Sequence, residues 1–181
     1  GGKVTITSGA SVETSSGDIA IATPNGGTGG VSGFVSMTTG KSTSGNSGLI
    51  ALSTGASDDA ASGEVLIGSG TGATVSGDVK MTAGESQGGN GGNVIITAGK
   101  STDDNGNTGG HVTISSGDST KTSSGNIVIK SANGAASPAT GGISGLVSLS
   151  SGEATGTTQN SGALLIGTGK ASGSSGAVSI T

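Results

Sequence analysis

Cysteine, tryptophan and tyrosine are absent from this 181-residue chain, and aromatic residues make up 1% of it. Without Cys there are no disulfides and no thiolate metal sites, and the redox compartment is left open. Charge is sparse. Charged residues amount to 10% and the formal net charge is −4, so the basic stripe that holds nucleic acid is missing. No apolar run approaches the roughly 18 residues that cross a bilayer as a helix. Proline occurs only at Pro24 and Pro138. Disordered chains are usually rich in charge or Pro, and this one is neither; its mean hydropathy is near zero.

What fills the chain is glycine, 40 residues of it, with Ser, Thr and small aliphatics. One phrase recurs from end to end: Gly, any residue, an aliphatic, any residue, an aliphatic or Met, any residue, a small residue, then usually Gly. Its first Gly stands at positions 2, 17, 33, 48, 63, 77, 92, 110, 125, 145, 162 and 176. The first apolar series is Val4, Ile19, Val35, Ile50, Val65, Val79, Val94, Val112, Ile127, Val147, Leu164 and Val178. The second is Ile6, Ile21, Met37, Leu52, Ile67, Met81, Ile96, Ile114, Ile129, Leu149, Ile166 and Ile180.

Two apolar residues separated by one other point the same way only on extended backbone. β-Branched residues dominate both series, as suits strands, and Gly–Ser clusters between them suit turns. A helical period is nowhere visible. The pattern therefore predicts an all-β fold: a β-solenoid (β-helix) of tandem strand–turn units, most of them 14 to 17 residues long, with the two series stacked into a core ladder. Residues 1–181 read as one continuous solenoid, excerpted from a longer repeat protein. Segment 1–40 echoes 109–152, and 63–82 echoes 162–181, which fits growth by block duplication.

A coil could hold one unit or two. The residue between the apolar pair is large and aliphatic at Leu66, Ile95, Val128 and Leu165, all in odd-numbered units. That parity favours two units, about 30 residues, per coil, and makes these four side chains an expected lateral contact, weighed against ordinary surface aliphatics.

Chemistry is harder to find. Gly40-Lys41-Ser42 and Gly99-Lys100-Ser101 resemble the end of a phosphate-binding loop. Val35 and Val94 stand where that motif requires its first Gly, so nucleotide binding is not expected. His111 is the only His and follows a repeat Gly, a variable position expected to face solvent. Alone, it makes neither a zinc site nor a Ser–His pair. Asp58–Asp59 and Asp103–Asp104 read as solvated turn acids. With Asn105 and Asn107, Asp103 and Asp104 also make a weak Ca²⁺ candidate. Otherwise no catalytic, cofactor or metal site is expected. Met37 and Met81 replace Ile in the second series, and Phe34 is expected at a strand edge or contact.

The strings Gly92-Asn-Val-Ile-Ile-Thr-Ala-Gly99 and Gly109-Gly-His-Val-Thr-Ile-Ser-Ser-Gly117 resemble repeats of Gly/Ser/Thr-rich β-solenoid proteins of cell surfaces and fibres. These include microalgal surface repeat proteins, haemagglutinin-like adhesin coils and phage fibre repeats. The resemblance runs the length of the chain. It implies an extracellular or cell-surface location and an elongated, filamentous or adhesive role, and brings no catalytic residue with it.

The leading expectation is accordingly a non-enzymatic structural protein of a fibre, filament or surface coat, self-associating through open strand edges. Ice binding is the first alternative, on ranks such as Thr5 and Thr7, Ser36 and Thr38, or Thr113 and Ser115, interrupted by Lys80, Lys130 and Leu66. An adhesin stalk is the second, although the aromatic platforms used to stack sugars are missing. The many hydroxyls are candidate acceptors for O-linked glycans, while no Asn-x-Ser/Thr sequon exists for N-linked ones.

Overall fold

A computed structural model describes residues 1–103, 106–135, 141–155 and 158–180. The chain divides into two units, Gly1–Gly92 and Asn93–Thr181. The boundary falls at a phrase start, so each unit carries six of the twelve apolar pairs.

The structure corrects the expected fold. Among the described residues there is no helix and no β-strand, hence no sheet and no β-solenoid of either coil size. A solenoid needs main-chain bonds between residues one coil apart. The main-chain bonds found are all more local: Gly30 N to Gly27 O, Gly142 N to Ala135 O, Gly17 N to Gly9 O, Gly92 N to Gly84 O, Gly125 N to Gly117 O and Gly110 N to Gly99 O. The widest joins residues 11 apart. A folded globular chain makes roughly one internal hydrogen bond per residue; the main-chain bonds found among the described residues fall far short of that.

The phrases are nonetheless extended. Exposure along them alternates with period two: Leu66 is 85% exposed between Val65 at 54% and Ile67 at 66%. Asp78 and Lys80 form an ion pair at 2.9 Å, and side chains two apart share a face on extended backbone. What is not found among the described residues is the ladder of main-chain bonds to a neighbouring stretch that would make a strand of it.

The two apolar series make no core in this structure. No hydrophobic residue is buried among those described. Total exposed surface is 17522 Å², against about 7,500 Å² for a folded chain of this mass and about 24,000 Å² for an unfolded one. Ordering a residue costs about 1–2 kcal/mol of backbone entropy, and in a globular domain apolar burial is the main offset. The local order seen here has to come from short loops.

Candidate functional site

Several of the loops that join one phrase to the next close on themselves. In four of them the Gly ending one phrase accepts a main-chain bond from the Gly opening the next: Gly9 and Gly17 at 2.9 Å, Gly84 and Gly92 at 3.0 Å, Gly99 and Gly110 at 2.9 Å, Gly117 and Gly125 at 2.9 Å. The small residue just before the loop lies beside that opening Gly. A Cβ added to Gly33 would stand 3.2 Å from Thr23 Cγ2, and one on Gly92 would stand 3.3 Å from Ala83 Cβ. Gly48 and Thr39, Gly63 and Thr54, and Gly145 and Ser131 repeat the approach at 3.3 to 3.4 Å. The repeat Gly is thus wanted mainly because it has no side chain. Positive φ is found at Gly29, Gly45 and Gly106; Gly29 occupies the third place of the turn closed by Gly30 N and Gly27 O, the position where a type II turn wants Gly.

A second device was legible in the sequence and absent from the expectations drawn from it. A Ser two residues after the loop's first Gly recurs at Ser11, Ser42, Ser57, Ser86, Ser101 and Ser119. Its hydroxyl accepts a main-chain N–H three residues on: Thr14 N to Ser11 Oγ at 2.9 Å, Ala60 N to Ser57 Oγ at 3.2 Å, Gly89 N to Ser86 Oγ at 2.9 Å and Thr122 N to Ser119 Oγ at 3.0 Å. Ser and Thr hydroxyls form such turns in place of regular main-chain pairing. The loops at Ser11 and Ser119 match further, since Ser11 also bonds Thr14 Oγ1 and Ser119 bonds Thr122 Oγ1. The duplicated blocks therefore share geometry as well as letters.

Among the described residues, partial burial is found mostly at these loop necks. Ala83, Ala98 and Ser131 end phrases, Ser42, Ser101 and Ala154 follow a loop Gly by two, and all six are half-buried. The large side chains lie outside. Every member of the two aliphatic series is exposed, and Leu66, Ile95, Val128 and Leu165 are more exposed than the apolar pairs flanking them. Phe34 is exposed as well.

Charge divides the same way. Counting each phrase from its opening Gly to its closing small residue, the phrases carry Lys3, Lys80 and Lys130 against Asp18, Glu64 and Asp78, which balance. The loops carry all of the net −4. The candidate site is therefore a series of aliphatic phrases, neutral taken together, separated by loops that together carry the negative charge.

The other candidates do not converge on a centre. Asp103 accepts a hydrogen bond from Asn107 Nδ2, while Asp104 and Asn105 lie outside the described residues. Among the described residues no three His, Cys, Asp or Glu come together as a metal centre. Lys41 and Lys100 sit in loops, with the neighbouring Ser42 and Ser101 at the neck position rather than in a phosphate cradle, and His111 is exposed. Among the described residues no cavity is found and no helix is long and apolar enough to cross a membrane. No protein-family profile, curated protein or solved structure matches the chain.

Proposed function

We propose that this chain is a non-enzymatic structural repeat protein, working as part of an extracellular fibre, filament or surface coat. The observation that carries the reading is the regular exposure of twelve apolar pairs on a chain that buries none of its hydrophobic side chains among the described residues. Large exposed apolar surface marks association, and a repeated surface suits an array of repeated contacts. The resemblance to Gly/Ser/Thr-rich surface and fibre repeats supports the same role, as does the wealth of exposed hydroxyls, which are proposed acceptors for O-linked sugars. The ice-binding alternative relies on a flat sheet face, which the described residues do not form, so it is not the reading carried forward.

Electron microscopy of the purified chain at rising concentration tests the proposal. Elongated or layered assemblies are expected. Separate particles at every concentration would sink it.

A further inference from the structure

The aliphatic phrases need a partner, and the structure says which kind. About 10,000 Å² of surface remains open beyond what a folded chain of this mass shows, several times the roughly 1,600 Å² of a standard protein–protein interface. Much of it lies along the phrases, where the main-chain hydrogen bonds found among the described residues reach only the opening glycines. Unpaired extended backbone beside apolar side chains is the combination that templates pairing with another chain.

We infer that the partner is a second copy of this chain, docked phrase against phrase, with the acidic loops kept outside the contact. This deepens the structural role proposed above and rests on it. Three observations choose the second copy. The phrases balance their own charges, so two copies can bring them together without net repulsion, whereas the loops carry the whole net −4 and resist it. The apolar pairs recur at 14- to 20-residue intervals, and a partner must match those intervals to cover several pairs at once; an identical chain does so in register. Closed necks, such as Gly84–Gly92 at 3.0 Å, gather the loop residues at the phrase ends and leave Val79, Met81, Val94 and Ile96 exposed, as Ile50, Leu52, Val65 and Ile67 are in other phrases. The pairing lies between chains and asks for no coil within one.

The test compares three forms of the 181-residue chain by sedimentation over a wide concentration range. One is unaltered, one carries Ile50→Asp with Val65→Asp, and one carries Asn46→Asp with Gln87→Asp. The last two add the same charge, to phrases and to loops respectively. The unaltered chain and the loop variant are expected to associate, and the phrase variant to do so about a hundredfold more weakly, because charges would be desolvated in the contact. Far-ultraviolet circular dichroism of the dilute phrase variant should match the unaltered chain, since neither substituted side chain is buried.

Equal association of the phrase variant would overturn this interface and leave the structural role standing. An unaltered chain that never associates would overturn both. A chain that compacts through its phrases at all concentrations while remaining single would show that its partner is itself, and would overturn the second copy alone.

Discussion

At one loop neck, Ala83 and Gly92 lie so close that even a methyl group on the glycine would press on its neighbour, and the alanine is half-buried. In the phrase just before it, Val79 and Met81, with far more surface to hide, are exposed. A globular domain arranges these regions the other way, with large aliphatics inside and Gly and Ser outside. The difference separates two sources of order. The necks are held by short-range bonds that any single repeat can make. The phrases carry most of the exposed large apolar side chains, and hiding them requires something beyond their immediate neighbours in sequence.

The sharpest way to break this contrast is to make the two regions exchange consequences. Ile50→Asp with Val65→Asp should weaken association about a hundredfold while leaving the single chain unaltered, as sedimentation and circular dichroism together would report. In a solenoid core the same pair would unfold the chain outright, since an unpaired buried charge is strongly destabilising.

Gly92→Val attacks the other region. Its side chain meets Ala83 Cβ and the Gly84 main chain, so the Gly92 N to Gly84 O bond should be lost and that amide should exchange with solvent at the rate of a free peptide. Nuclear magnetic resonance reads this amide by amide; an unchanged rate would show that the neck is not held by close approach. Ser119→Ala removes only the turn hydroxyl, and exchange at Thr122 N should quicken about fivefold, the equivalent of roughly 1 kcal/mol for one hydrogen bond. Thr14 N, in the duplicate loop at Ser11, provides the untouched control. Smallest of all is Lys80→Ala. It breaks an ion pair that is well exposed on both sides, and exposed pairs contribute little, so neither exchange rates nor association should move measurably.

Much of the local design was legible from letters alone. The period-two aliphatics of Ile50 and Leu52 give the side of the backbone each faces, and exposure along the phrases alternates accordingly. Their partner was not legible, because periodicity reports which face is apolar and is silent on what covers it. A coil of the same chain and a neighbouring chain satisfy the same pattern. The long interval between Gly92 and Gly110 is taken up by a loop closed at its neck by Gly99 and Gly110. The Ser two residues into several of the loops was legible, since Ser11, Ser57, Ser86 and Ser119 share one spacing from Gly. That signal was obscured by the abundance of Ser, which makes any one of them look like filler.

The closed neck has a mechanical meaning. Because Gly9 and Gly17 are joined directly, as are Gly99 and Gly110, the residues between them add nothing to the end-to-end span while the necks hold. Pulled from its ends, the chain would first bear load through these single bonds and then release each loop in turn, gaining about 3.5 Å of contour for every residue freed. The 99–110 loop is the longer of the two and yields the longer step. Such a strand lengthens before it breaks and can close again when the tension falls.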